Sequence, residues 1–184
     1  MAPIVHLVRH AQGFHNVHDR HDIPDPLLTE LGKAQCAKLE EGWPYHHVDL
    51  IVSSPIRRTI YTSLLGFGHD IKKKGLRIIA LPELQEISDL PCDTGSPLED
   101  LTKEFADHPI DWTLVTPDWH VKEGRFSNDK EAIIKRAQEA REWLRLRQEK
   151  EIVVVTHGLY NPRARPIVSL HPKPHGAQSS KTRC

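Results

Sequence analysis

The stretch Ile4-Val5-His6-Leu7-Val8-Arg9-His10 sets a short, β-branched apolar run directly against two basic side chains. Runs of this length and composition read as buried strands. The pattern returns at Leu50-Ile51-Val52, followed by Ser53, Ser54 and Pro55, at Arg77-Ile78-Ile79-Ala80-Leu81, followed by Glu83 and Glu86, and at Ile152-Val153-Val154-Val155, followed by Thr156, His157 and Gly158. Helical periodicity lies between these runs. Thr29 caps a helix over about 30–41, and Pro55 opens one that runs to about Leu65 and stops at Gly66 and Gly68. Residues 98–106 form a short helix. Asn128, with Glu131 as its capping-box partner, starts the longest one, with Ile133, Ala137, Ala140 and Leu144 on its buried side. Strands alternating with helices predict a three-layer α/β/α domain with a mainly parallel sheet.

Ligands of open α/β sheets bind beyond the carboxyl ends of the strands. Four strand ends here deliver His10 and Arg9, Arg57 and Arg58, Glu83 or Glu86, and His157 to one rim. Arginine forks match phosphate oxygens. A neutral imidazole attacks phosphorus, a second shares the transition-state charge, and a carboxyl group protonates the leaving oxygen. Cationic side chains that neutralise the phosphoryl oxygens make a metal unnecessary.

Composition narrows the field. The chain has 184 residues, with 25 Lys and Arg against 25 Asp and Glu, so it lacks the basic excess of a nucleic-acid or membrane-surface binder. No apolar run reaches the length of a membrane span, and the first residues are too soon charged for a secretory signal. Cys36, Cys92 and Cys184 give no even framework, which points to a reducing, cytoplasmic setting. Residues 160–184 hold five basic residues, no acidic ones and four of the 14 prolines. The expected division is therefore a catalytic domain over 1–159 and a Pro-rich basic tail over 160–184.

Five segments, in order, resemble the histidine phosphatase superfamily, in its phosphoglycerate-mutase-like branch. Leu7-Val8-Arg9-His10-Ala11-Gln12-Gly13-Phe14-His15-Asn16 is similar to the opening signature, and Asp25 to Gln35 to the first-helix segment. Ser53 to Thr62 resembles the second arginine motif, Leu84-Gln85-Glu86 the segment carrying the acid, and Thr156-His157-Gly158 the second histidine. The resemblance implies His10 as nucleophile, Glu86 rather than Glu83 as proton donor, and Arg9, Arg58 and His157 around the transferred phosphoryl group. Arg58 rather than Arg57 takes the phosphate-binding position. Asn16 adds a hydrogen bond, and His15, between His10 and Asn16, faces the substrate. No cofactor and no metal are implied.

Mutases of this family are generally longer, so the short segment between Glu86 and the last helix favours hydrolysis of a small phosphorylated metabolite. Trp112, Trp119 and Phe126 in the irregular stretch 107–127 either pack it against the sheet or line a pocket. The family usually continues past its second histidine with a helix and a further strand; here Pro162 could sit in a first turn, but Pro166 opposes a long helix. One sheet face then lacks its usual cover: either the tail lies over it in an irregular path, or a second copy of the chain does, or the domain is weakened.

Three other readings compete. His15, His18 and His21, interleaved with Asp19, Asp22 and Asp25, could bind a metal, or form a solvated polar loop. The domain could be a catalytically weak binding or scaffold subunit. The same histidines and glutamate could also serve acid–base chemistry on an unphosphorylated metabolite.

Overall fold

A computed structural model describes residues 2–43 and 47–158. The expected tail over 160–184, with Pro162 and Pro166, lies outside the described residues. The strands are β1 (Ile4–Arg9), β2 (Leu50–Ser53), β3 (Ile78–Ala80), β4 (Ile110–Asp111) and β5 (Glu151–Thr156). They form one sheet in the order β1-β5-β2-β3-β4, every pair parallel. The helices are α1 (Glu30–Gly42), α2 (Arg57–Gly66), α3 (Gly68–Lys74), α4 (Leu98–Glu104) and α5 (Lys130–Arg145).

Side chains alternate across a strand, and the alternation divides the core in two. Ile51, Ile78, Ala80, Val153 and Val155 face one side, where they meet Ile56 and Ile60 at α2, Ile71 of α3 and Leu101 of α4. Leu50, Val52, Ile152 and Val154 face the other, against Ala140 and Leu144 of α5. Two apolar layers around a parallel sheet make the three-layer α/β/α architecture that the alternating pattern predicts.

Among the described residues β1 is an edge strand, and it is poorly covered. Its register sets Val5 beside Ile152 and Leu7 beside Val154, on the α5 side of the sheet. Val5 is 37% and Leu7 47% exposed, whereas Ile152 and Val154 are fully buried.

Several elements differ from the sequence-based expectation. The helix expected from Pro55 begins at Arg57, because Ile56 is still extended (φ −65°, ψ 136°). The hydroxyl of Ser54 accepts from Ile56 N (3.4 Å) and the buried Asp25 carboxylate from Arg57 N (3.0 Å). α2 stops at Gly66 as expected, but the chain does not leave helix there. Phe67 turns the chain, α3 follows, and Gly75 stops it in the left-handed conformation (φ 64°). β4, only two residues long, arises inside the stretch read as irregular, by pairing Ile110 with Ile78. Asp129, not Asn128, caps α5, its carboxylate accepting from Ala132 N at 2.9 Å. On α5, Arg136 is buried along with Ala140 and Leu144, and its guanidinium donates to the Gln85 carbonyl at 2.9 Å.

Thr29 caps α1 as expected, its hydroxyl accepting from Gly32 N (3.0 Å) and donating to the Gln12 side-chain oxygen (2.7 Å). A Cβ on Gly32 would lie 2.2 Å from the Gln12 carbonyl oxygen. Gly32→Ala should therefore cost about 1–3 kcal/mol by forcing the backbone after His10 away from α1. Urea denaturation of the two proteins measures this, and equal midpoints would contradict it.

Candidate active site

His10 leaves the end of β1 and is buried. Its Nδ1 lies 2.8 Å from the carbonyl oxygen of Ala11, which can only accept, so Nδ1 carries the proton. The lone pair is then on Nε2, which accepts from Arg58 Nε at 3.2 Å. Burial, followed by the charge of Arg58, holds the His10 pKa well below the ordinary 6.5. The ring stays neutral at physiological pH.

Arg58, at the start of α2, is completely buried. Besides His10 it reaches the Cys92 carbonyl (2.5 Å), Asp93 Oδ1 (3.1 Å) and Nδ1 of His157 (3.2 Å). A guanidinium only donates, so His157 Nδ1 accepts. The neutral ring then carries its proton on Nε2, which donates to Ser54 Oγ at 2.9 Å. The two imidazole centroids are 5.2 Å apart. Burial and Arg58 also keep the His157 pKa well below 6.5. A dianion reaching this spot would raise it and recruit a proton to Nδ1.

Glu86 stands on the far side, its Oε2 3.7 Å from His157 Nδ1. Burial first, then the nearby Asp93 carboxylate, raises its pKa. Its competitor Glu83 is engaged elsewhere, in an ion pair with Arg125, which also binds Glu139 at 3.0 Å. Arg57 likewise points away from the histidines, pairing with Glu104 at 2.8 Å.

Arg9 is exposed, and among the described residues its guanidinium makes no hydrogen bond or ion pair. It crosses Gly158, where a Cβ would come 3.1 Å from Arg9 Nε, so the glycine after His157 gives the guanidinium its path. Asn16 accepts from Gly13 N through Oδ1 (3.0 Å), which leaves its amide N–H groups as donors. A cavity of about 460 Å³ opens beside β1 and α1; Arg9, His10 and Asn16 are among its walls, whereas Arg58, Glu86 and His157 are not. His15 packs beside His10 with ring centroids 5.5 Å apart. Burial and Arg58 hold its pKa to about 4, and its Nδ1 is buried without a hydrogen-bond partner.

The structure thus gathers His10, Arg58, His157 and Glu86 around one point, with Arg9, Asn16 and His15 at its margin. Among the described residues, no group of three or more His, Cys, Asp or Glu is arranged to hold a metal ion. His21 instead lies near Cys92, Nδ1 to Sγ 3.7 Å. Trp119 and Phe126 belong to the core, with Trp112 packed against it, so these aromatics hold the 107–127 stretch to the sheet.

Three contributors escape sequence reasoning. Asp93, itself fixed by Ser88 Oγ (2.6 Å), anchors Arg58. Ser54 orients His157. Lys122 reaches from the irregular stretch to donate to the Glu86 carbonyl at 2.8 Å. Only Ser54 carried a readable signal, as a hydroxyl immediately after a strand.

The arrangement can seat a tetrahedral dianion between guanidinium and imidazole donors with a nucleophilic nitrogen at its centre. Comparison with known proteins agrees in kind. Residues 5–162 match the family model of the histidine phosphatase superfamily, branch 1. A Schizosaccharomyces pombe protein named a probable phosphatase is 32% identical, over 84% of this chain and 74% of its own. Phosphoserine phosphatase 1 of Hydrogenobacter thermophilus is 29% identical, over 82% and 69% respectively. The ecdysone phosphate phosphatase of Bombix mori, solved with tungstate, shares the fold at a TM-score of 0.57 and 16% identity, covering 83% of this chain and 72% of that one.

Proposed function

This chain belongs to the histidine phosphatase superfamily, branch 1, and from that premise we propose that it hydrolyses small phosphomonoesters through a phosphohistidine on His10. The observation that carries this reading is the His10 tautomer. Nδ1 is committed to the Ala11 carbonyl, so the unprotonated Nε2 faces Arg58.

In the proposed reaction, Nε2 of His10 attacks phosphorus and the bond to the ester oxygen breaks. Glu86 gives that oxygen its proton, so the alcohol leaves neutral. The Glu86 carboxylate then takes a proton from water, which attacks the phosphohistidine and releases inorganic phosphate. Arg58, Arg9 and protonated His157 balance the phosphoryl charge, Asn16 donates a further hydrogen bond, and His15 borders the substrate. No step calls for a metal or cofactor.

Hydrolysis of p-nitrophenyl phosphate tests the reading, with His10→Ala as its control. Turnover by the wild type alone supports it, and equal rates remove it.

The pH dependence follows from two opposed shifts. The lowered His10 pKa leaves the nucleophile neutral well below pH 6.5. The raised Glu86 pKa keeps the acid protonated to higher pH than an ordinary carboxyl group. The first extends the active form toward acid and the second toward base, so kcat/KM should fall as Glu86 ionises. Glu86→Gln should lower kcat about 10²–10⁴-fold for an alkyl ester, less for an aryl ester, and shift the alkaline limb by removing the ionisation of Glu86 from it. An alkaline limb unchanged in midpoint and steepness would exclude Glu86 as the acid.

We also read the protein as cytoplasmic, in keeping with the buried free thiols of Cys36 and Cys92. Among the described residues no helix is long and apolar enough to cross a membrane. Exposure of Val5 and Leu7 supports a homodimer formed through the β1 edge. Sedimentation equilibrium would find a dimer that Leu7→Glu dissociates, and a wild-type monomer would contradict this.

A further inference from the structure

Between β4 and α5 the chain brings two long cations toward the site, and they are used differently. Arg125 is held by Glu83 and Glu139. Lys122 has no carboxylate within ion-pair distance among the described residues; it donates to the neutral backbone carbonyl of Glu86, 2.8 Å away. Its side chain is half-buried, yet one hydrogen bond uses only one of its three N–H groups. An ammonium removed from water without a counter-ion is costly, and an anion completes it.

The place of Lys122 says where that anion would be. It is attached to Glu86, the residue proposed to protonate the leaving oxygen, and so stands on the leaving-group side of the phosphoryl position. The phosphoryl oxygens already have Arg58, Arg9 and His157. We propose, on the phosphatase reading above, that Lys122 selects phosphomonoesters whose leaving alcohol bears a carboxylate. One ammonium with two remaining donors fits one such group, whereas a second phosphate would call for a further fork that this stretch does not supply.

The surrounding charges agree with this assignment. Arg136 and Arg58 repel the ammonium, Asp93 and Glu86 attract it, and burial outweighs both, lowering its pKa to about 8. A docked carboxylate would relieve that burden.

Two matched pairs of esters test the proposal: phosphoglycolate against ethyl phosphate, and O-phosphoserine against phosphoethanolamine. Where the first member carries the carboxylate, ethyl phosphate carries a methyl group and phosphoethanolamine a hydrogen. Wild-type kcat/KM should favour the carboxylate member by about tenfold or more, the worth of a charged hydrogen bond. Lys122→Gln should shrink that ratio about tenfold, whatever common loss it brings. Turnover of all four esters without preference, or an unchanged ratio in the variant, would overturn the assignment. Should the variant not fold, the wild-type ratios still decide. Failure of the wild type on all four esters would instead remove the phosphatase reading on which the proposal rests.

Discussion

Replacing His10 by alanine should lower kcat for p-nitrophenyl phosphate by about 10⁴-fold or more, the scale expected when a covalent nucleophile is lost. The size follows from the geometry. The neighbouring rings are displaced from that position: the His157 centroid lies 5.2 Å from that of His10, and its Nε2 proton is committed to Ser54. His15 lies at the margin, its ring centroid 5.5 Å from that of His10. Because His10 is buried, the variant also leaves a small cavity, and its melting temperature should be compared with that of the wild type. A folded variant of near-normal activity would mean that the phosphoryl group never passes through His10.

Arg58→Lys should lower kcat/KM about a thousandfold. One guanidinium here serves the Cys92 carbonyl, Asp93, His10 and His157 at once. A lysine ammonium has no planar fork and cannot hold these directions together. Losing a single preorganised donor to a developing oxyanion typically costs 10²–10³-fold, and here more than one donor is misplaced.

Arg58→Ala should be worse still, because it also strips the ion-pair partner from Asp93. Breaking a buried pair from one side costs about 3–5 kcal/mol, at the lower end here because Asp93 keeps Ser88 and some solvent contact. The sign of the accompanying pKa change is fixed. The Arg58 charge depresses His10 and His157, so its removal raises both, and the acid limb of the pH profile moves up in pH. NMR titration of the two rings in the lysine and alanine variants would check this. Unmoved His10 and His157 resonances in the alanine variant would contradict the assigned role.

What could be read from the chain and what could not divide along a physical line. His10 and His157 were legible because each follows directly on a β-branched run, and parallel strands deliver their carboxyl ends to one side. Arg58 and Glu86 were less so. Arg57 and Glu83 are equally placed in the sequence, and only the family resemblance separated the pairs. In the structure, Arg57 goes to Glu104 and Glu83 to Arg125.

Asp93 and Lys122 lie in irregular segments, whose path depends on tertiary contacts that periodicity does not encode. The same reason hides β4, which exists because Ile110 finds Ile78. α3 was hidden differently: glycines at 66 and 68 read as stops, yet Phe67 makes a turn between two helices. The shift of the α5 cap from Asn128 to Asp129 is a one-residue choice between two good capping side chains, decided by which carboxylate or amide reaches Ala132 N.

The central claim is that phosphate passes from ester to enzyme before it reaches water. Rapid mixing with a phosphoserine substrate, quenching in alkali to spare the acid-labile phosphorus–nitrogen bond, and peptide mass spectrometry test it most directly. The expected result is a transient phosphoryl group on the peptide containing His10, formed in the first turnover; with an aryl ester, whose departure needs little help from the acid, it should accumulate further in Glu86→Gln, which cannot activate water. Turnover at full rate with no phosphorylated peptide, or with the label on His15 or His157 instead, would contradict it.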